Sequence, residues 1–98
     1  MKILAIEHEI PGTRPGQYEP LLRAEARSAW KLYQAGIIRE LYFRQDRSEA
    51  VLVLECPDLA AAEQQVAALP LVQGGLITFE LIPLRAYPGF DRLFQPED

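Results

Sequence analysis

The sequence predicts an α+β fold in which a four-stranded antiparallel sheet carries two helices on one face. Three observations lead to this prediction. The length of 98 residues suits one modest core. The predicted elements follow the order strand, helix, strand, strand, helix, strand, and two of the strands are almost continuously apolar. That order is the split βαβ arrangement of ferredoxin-like folds. We therefore expect a single domain over residues 1–98, with an aromatic tail over residues 85–98.

The first strand and the first helix have clear local signals. The segment from Lys2 to Glu9 is rich in Ile and Leu, and Pro11 and Gly12 follow it, which indicates a strand that ends in a loop. Good helix formers fill the segment from Tyr18 to Ala35. Gly36 then stands where a helix C-cap belongs, so we predict a helix over Tyr18–Ala35.

A hairpin, a second helix and a last strand complete the pattern. In chain order the predicted elements are a strand at Ile37–Arg44, a strand at Glu49–Cys56, an Ala-rich helix at Leu59–Leu69, a loop at Leu71–Gly75 and a strand at Leu76–Leu84. The four polar residues between the first two strands favour an antiparallel hairpin. Asp58 is a suitable N-cap for the second helix, and Pro70 is expected to end it.

Two strands are apolar on both faces. Ala50–Leu54 is an unbroken apolar run, and Leu76–Ile82 is nearly one. Successive strand side chains point to opposite faces of a sheet, so such runs indicate that both faces are shielded from water. Because two helices cover only one face, we predict that a second copy covers the other. The sheets would pack face to face as a dimeric α/β barrel.

Composition narrows the classes of partner. The net charge is -4, and the ten basic residues are scattered, which argues against nucleic acid or an anionic membrane as a partner. Cys56 is the single cysteine, which precludes an internal disulfide and is typical of a reducing cytoplasm. It ends an apolar strand, so we interpret it as a packing residue rather than a nucleophile. The N-terminus does not resemble a signal peptide, and a single cysteine cannot form a thiolate metal cluster.

Glu25 is the sharpest candidate for chemistry. At about 100° per residue it falls near the middle of an apolar stripe on the first helix. The stripe consists of Tyr18, Leu21, Leu22, Ala26, Ala29, Leu32 and Tyr33. Burial would raise the pKa of this carboxyl group and suit it to proton transfer near neutral pH. The alternative is a glutamate that pairs with a buried arginine or reaches water at the edge of the stripe.

The strands supply weaker candidates. His8 is the only histidine and lies at the end of the first strand, where it could act as an acid or base or simply be a hydrogen-bonded strand-end residue. Glu7 and Glu9 flank it on the opposite face, so we interpret them as poor co-ligands. Arg39 and Tyr42 interrupt an apolar strand and could line a cavity, although solvent-facing positions are the commoner explanation.

Four segments together resemble the muconolactone delta-isomerase family. They are the pattern around Leu21 and Glu25, the run Gly36–Tyr42, the Leu69-Pro70-Leu71 stop and Tyr87-Pro88 in the tail. The resemblance implies a ferredoxin-like subunit that dimerises through its sheets, with further assembly into a larger ring. It also implies double-bond isomerisation of a muconolactone without a cofactor, in the bacterial breakdown of catechol.

The resemblance also implies a pair of site residues on the first helix, an acid/base glutamate and a nearby lysine. Glu25 matches the glutamate, whereas Leu22 stands at the lysine position. A cation for the reaction would then come from Arg39, His8 or the tail residue Arg85. Our first hypothesis is a cofactor-free isomerase that acts on a small lactone or organic acid. Glu25 would be its base and Arg39 its anchor for a substrate carboxylate, with His8 or Tyr42 as an accessory donor.

Two alternatives belong to other classes. One is a non-catalytic protein of the dimeric α/β-barrel superfamily that binds a small hydrophobic molecule or serves assembly, and Leu22 at the lysine position favours it. The other is a cofactor-independent monooxygenase, for which an apolar cavity that contains Trp30 would be suitable. A cavity that exposes Glu25 would favour an enzyme, whereas a Glu25–Arg39 ion pair in a filled interior would favour a structural role.

Overall fold

A four-stranded antiparallel sheet forms the centre of the molecule. The computed structural model describes residues 1–96. Its strands are β1 (Lys2–Glu9), β2 (Ile38–Phe43), β3 (Ala50–Glu55) and β4 (Ile77–Pro83). They lie in the order β2-β3-β1-β4, as the split βαβ pattern requires. The predicted α+β ferredoxin-like fold is therefore confirmed. The sheet of the single chain is open and is not a closed barrel.

Helices cover one face of this sheet. They are α1 (Pro15–Tyr18), α2 (Leu22–Gln34), α3 (Leu59–Ala67) and α4 (Pro70–Gln73), with 3₁₀ turns at Glu19–Leu21 and Gly89–Phe94. The side chain of Asp58 accepts a hydrogen bond of 2.8 Å from the backbone N–H of Ala61, which confirms the predicted N-cap. Gly36 has a φ of 77°, a left-handed conformation that ends α2 as predicted.

Two prolines change the predicted helix boundaries. The helix expected to begin at Tyr18 begins at Leu22, because Pro20 has no N–H to donate and a 3₁₀ turn takes its place. A short helix, α1, also occupies part of the loop expected before it. Pro70 ends α3 but begins α4 at once, since proline is well suited to the first helical position. The segment expected as a loop after Pro70 is therefore one turn of helix.

The core lies between the sheet and the helices. Ile3 and Ala5 on β1 and Leu54 on β3 are fully buried, and Ala62 on α3 packs against them. Ala5 is paired with Leu52 on β3 and with Leu81 on β4, so the helix-side residues of three strands meet in one layer. Cys56 is also buried, 5% exposed, which confirms that it is a packing residue.

The other face of the sheet carries a half-buried apolar stripe. Leu4 pairs with Val53 on one side and with Ile82 on the other, and Ile6 pairs with Val51. These five side chains, Leu4, Ile6, Val51, Val53 and Ile82, are each only partly exposed, and we call them the open-face stripe. It has the composition of a surface that a second layer could cover.

The described part of the tail does not pack on the domain. Leu84 still donates a backbone hydrogen bond to Lys2, but Tyr87, Phe90 and Phe94 are 68%, 65% and 83% exposed. The apolar composition of the tail predicts that it packs on its own or a neighbouring subunit, and within one subunit these three side chains do not pack on the domain. Fraying is expected at Gln95–Asp98, as at most chain termini, and residues 97–98 lie outside the described residues. Within residues 1–96, none of the helices is long and apolar enough to span a bilayer.

The α3 interface supplies a test of this packing. Ala62 is fully buried whereas Ala60, two residues earlier on α3, is exposed. We expect Ala62→Leu to lower the free energy of unfolding by about 1–3 kcal/mol, because the added carbons overfill the core. Ala60→Leu should change it by less than about 0.5 kcal/mol. Urea denaturation measures both values, and equal effects would contradict the described orientation of α3.

Candidate active site

An apolar cavity of about 230 Å³ lies between α2 and the helix-side face of the sheet. Two carboxylate side chains, those of Glu7 and Glu25, enter a wall that is otherwise made of apolar side chains. The apolar lining consists of Leu22, Ala26, Ala29, Ile38, Leu41, Phe43, Ala50, Leu52, Leu69, Leu71 and Phe79. Such a site is well suited to a small, largely apolar ligand that carries one or two polar atoms.

Glu25 is held in place by the turn that starts at Pro70. Its Oε1 accepts a hydrogen bond of 2.9 Å from the backbone N–H of Leu71, one of the free N–H groups at the start of α4. Burial raises the pKa of Glu25, and the Leu71 hydrogen bond partly opposes this. In the described structure Glu25 has no ion pair with an arginine, so the Glu25–Arg39 alternative is not observed.

Glu7 is the site residue that sequence reasoning missed. It follows Ile3 and Ala5 on the helix-side face of β1, and it is only 6% exposed. Its Oε1 accepts a long hydrogen bond of 3.3 Å from the backbone N–H of Ala50. The signal was present in the alternation of β1, because Glu7 follows Ile3 and Ala5 at a spacing of two residues and so shares their face of the sheet. We had judged Glu7 only as a partner for His8, which lies on the other face.

Electrostatics reinforce the effect of burial on Glu7. Desolvation is the main cause that raises the pKa of Glu7, and the charges of Glu49, Glu25 and Glu9 raise it further. The hydrogen bond from Ala50 opposes them. Burial and neighbouring negative charge therefore both favour the protonated form of Glu7.

Glu49 is a third buried acid, but its charge is compensated. Its Oε1 lies 2.5 Å from Arg47 Nε and 3.9 Å from Arg44 Nη1, and its Oε2 accepts a hydrogen bond of 3.0 Å from the backbone N–H of Glu9. Among residues 1–96, no three His, Cys, Asp or Glu side chains are grouped in a way that could hold a metal ion.

A wider cleft of about 460 Å³ adjoins the cavity. The two spaces share Glu7, Leu22, Phe43 and Leu71, so the cleft provides a route from solvent to the cavity. Its other lining residues are Glu9, Thr13, Pro15, Tyr18, Glu19 and Ser48. Lys, Arg and His side chains are absent from the described lining of both spaces. The approach to Glu25 is therefore acidic.

The remaining predicted site residues lie away from this cavity. His8 is on the opposite face of the sheet, with its Nε2 3.2 Å from Glu80 Oε1. Arg39 donates to the backbone oxygen of Gly36 at 2.6 Å, and Tyr42 donates to Glu40 at 2.8 Å. Within one subunit, the structure therefore does not bring any of these three side chains to Glu25.

Arg39, Tyr42 and Trp30 instead line a shallow groove between α2 and β2, which meets the apolar cavity at Ala26, Ala29 and Leu41. Trp30 is 57% exposed and stacks on Tyr33 with ring centroids 5.7 Å apart, so it does not enter the apolar cavity. Arg85 is exposed at the start of the tail, and it does not line the cavity either.

Comparison of the structure with solved proteins identifies the fold. No protein-family model matches the sequence, and neither does any curated protein. A muconolactone isomerase crystal structure matches with a TM-score of 0.74 and 21% identity, over 90% of this chain and 92% of that chain. The chain has the muconolactone isomerase fold. The resemblance inferred from the sequence is thus confirmed at the level of the fold.

A second enzyme shares this muconolactone isomerase fold. It is the 5-chloro-2-hydroxyhydroquinone dehydrochlorinase of Burkholderia phenoliruptrix AC1100, solved in complex with 2,5-dihydroxybenzoquinone. It matches with a TM-score of 0.65 and 15% identity, over 91% of this chain and 98% of that chain. The match extends over nearly the whole length of both chains, so it concerns the complete fold and not one motif.

The buried carboxyl groups predict a pH effect on stability. A carboxyl group whose pKa is raised by folding binds its proton more tightly in the folded state, so stability is lost as the pH rises through the raised pKa. We expect Glu7→Gln to remove part of this loss, because the amide is never charged. The free energy of unfolding of the variant should fall less than that of the wild type between about pH 5 and about pH 8.

Urea denaturation at several pH values measures this difference. Glu63→Gln on α3, at an exposed position, is the control and should leave the pH dependence of the wild type unchanged. A Glu7→Gln variant with the same pH dependence as the wild type would contradict the raised pKa of Glu7.

Proposed function

We propose that this protein is a cofactor-free enzyme that moves a proton between two carbons of a small unsaturated lactone or related organic compound, and so isomerises a double bond. The observation that carries the proposal is Glu25, a half-buried carboxylate that a backbone N–H holds at the wall of an apolar cavity. A base in such a place needs a pKa near the working pH, and burial shifts the pKa of Glu25 in that direction.

The cavity favours this reaction in three ways. Its wall is almost entirely apolar, which strengthens the polar interactions made with a carbanion-like intermediate inside it. The Leu71 hydrogen bond occupies one oxygen of Glu25, which orients the other toward a ligand. Its volume of about 230 Å³ suits a molecule with one small ring. The same carboxylate can accept a proton from one carbon and return it to another.

The structural neighbours support the substrate class. One is a muconolactone isomerase, and the other is a dehydrochlorinase solved with a dihydroxybenzoquinone. The first name refers to a lactone and the second structure holds a quinone, and both are small unsaturated ring compounds that carry carbonyl groups. We therefore propose a place in the breakdown of aromatic compounds, and the buried, single Cys56 supports a reducing cytoplasm as the location.

Glu25→Gln tests the proposed base. We expect the wild type to catalyse deuterium exchange from D₂O into unsaturated lactones, a panel that includes muconolactone, and the variant to lose about 10²–10⁴-fold in rate. Proton NMR measures the exchange, and Glu63→Gln is the control. Retained activity in Glu25→Gln would show that another group moves the proton. Tight binding of a lactone without exchange by the wild type would instead favour the binding protein considered above.

We also propose that the protein is a homodimer that packs through the open-face stripe. The stripe is apolar and central, while polar side chains flank it: Tyr42 and Glu40 on β2, His8 on β1 and Glu80 on β4. An apolar centre with a polar rim is typical of a protein interface. Two copies packed in this way would form the dimeric barrel expected from the sequence, and dimers could assemble further.

A charge in the stripe tests this interface. We expect Val53→Arg to convert the dimer into a monomer, because a buried unpaired guanidinium group would be costly in the interface. Ala60→Arg, on the exposed side of α3, should leave the dimer intact. Light scattering coupled to size-exclusion chromatography gives the mass in solution. A Val53→Arg dimer would place the interface elsewhere.

A further inference from the structure

We propose that Glu7 is a second catalytic group of the cavity, and that the substrate is uncharged. In this proposal the neutral carboxyl group of Glu7 donates a hydrogen bond to the carbonyl oxygen of an unsaturated lactone or similar compound, while Glu25 moves the proton. The inference rests on the proposed function of Glu25. It replaces the glutamate and lysine of the resemblance with a pair of carboxyl groups.

The first argument is geometric. Glu7 enters the cavity from β1 and Glu25 enters it from α2, so the two carboxyl groups approach a ligand from opposite walls. A backbone N–H holds one oxygen of each, that of Ala50 for Glu7 and that of Leu71 for Glu25. Within residues 1–96 the second oxygen of Glu7 accepts none of the hydrogen bonds of the structure. It is not among the fully buried side-chain atoms that lack a partner, so a ligand in the cavity can reach it and provide a hydrogen bond.

The second argument is the sign of the charge. The described lining of the cavity and of its approach contains Glu7, Glu25, Glu9 and Glu19 and no basic side chain. Nearby arginines are already engaged, because Arg44 pairs with Asp46 and Arg47 pairs with Glu49. Arg39 lines the groove that meets the cavity at Ala26, Ala29 and Leu41, but it donates to the backbone oxygen of Gly36 and does not line the cavity itself. An anionic substrate would meet only like charge in a poorly hydrated space, which is unfavourable. An uncharged carbonyl compound meets no such penalty.

The third argument assigns the proton. Three acids face Glu7: Glu9 on its own strand, Glu49 in the turn before β3 and Glu25 on α2. Arg47 and Arg44 face Glu49 and not Glu7, and Tyr18 and Glu19 lie across the shared cleft. Glu25 is more exposed than Glu7 and accepts the shorter hydrogen bond, 2.9 Å against 3.3 Å. In such a pair one proton is retained by the more strongly desolvated group, which is Glu7.

The reaction then balances without a co-reactant. An ionised oxygen of Glu25 removes a proton from the saturated ring carbon next to the C=C bond of the lactone. The C–H electron pair forms a new C=C bond, the old C=C pair shifts toward the carbonyl carbon, and the C=O pair moves onto oxygen. The O–H of Glu7 stabilises that oxygen. Glu25 returns the proton to the carbon next to the carbonyl group, and both carboxyl groups recover their first state.

Two lactones and two variants test the proposal on the full chain. The probes are muconolactone and β-angelica lactone, which carries a methyl group where muconolactone carries a carboxymethyl group. We expect the wild type to exchange deuterium into β-angelica lactone with a kcat/KM at least about tenfold higher than for muconolactone. Glu7→Leu should lower kcat about 10²–10³-fold, and Glu7→Gln should lose less, because its amide N–H can still donate.

The pH profile separates a catalytic Glu7 from a structural one. The kcat of the wild type should fall as the pH rises and Glu7 loses its proton, and this fall should be absent in Glu7→Gln. Circular dichroism monitors folding. If Glu7→Leu does not fold, Glu7→Gln decides, since its side-chain oxygen can still accept the hydrogen bond from Ala50. Glu63→Gln should match the wild type in all measurements.

Each outcome has a distinct meaning. Exchange into muconolactone but not into β-angelica lactone would overturn the uncharged substrate and leave the role of Glu25 intact. A Glu7→Leu enzyme with wild-type kcat, or a Glu7→Gln enzyme that keeps the alkaline fall, would overturn the role of Glu7 alone. If the wild type exchanges neither lactone, the proposed function fails and this inference fails with it.

Discussion

The desolvation of two carboxyl groups is the constraint on which the site depends. The free energy of hydration that an ionised carboxylate loses on leaving water is larger than the free energy that one hydrogen bond provides. Glu7 and Glu25 would therefore destabilise a filled core. Each instead receives one backbone N–H and faces an open cavity. The scaffold around them is apolar, and the buried layer that begins at Ile3 and Ala5 fixes the direction of Glu7. The rigid β1 strand and the turn at Pro70 therefore position both groups before a ligand arrives.

The same strand carries the two proposed functions, catalysis and dimerisation, on its two faces. Residues of β1 alternate between the helix side, where Glu7 meets the cavity, and the open side, where Leu4 and Ile6 form part of the open-face stripe. Because side chains of a strand alternate between the two faces of the sheet, the proposed dimer interface and the proposed active site use different residues of β1. This arrangement explains why His8, one residue from Glu7, pairs with Glu80 on the open face rather than with Glu25. A change at the dimer interface need not alter the charge of the cavity.

Much of the fold could be predicted from the sequence, because strand alternation and helix periodicity are local properties. They located four strands, the helix face of Glu25 and the burial of Cys56. The site was less predictable for two physical reasons. The register of β2 shifts between Ile38 and Glu40, and such a bulge re-aims side chains, so Arg39 contacts Gly36 rather than a ligand space. Glu7 was missed because it was considered only as a co-ligand of His8, although Ile3 and Ala5 on the same face of β1 are core residues.

This chain can share the fold of muconolactone isomerase and still have a cavity charge other than the one that the resemblance implies. The cavity of this chain lies between α2 and the sheet, so backbone packing of the fold that it has in common with muconolactone isomerase determines its position. The charge inside depends on single side chains, and here Leu22 stands at the position where the resemblance implies a lysine, while Glu7 adds a carboxyl group. Replacing a cation by a neutral acid preserves a donor for a developing oxyanion, but it removes the attraction for an anionic substrate. The proton-transfer chemistry can therefore persist on this fold while the charge of the preferred substrate changes.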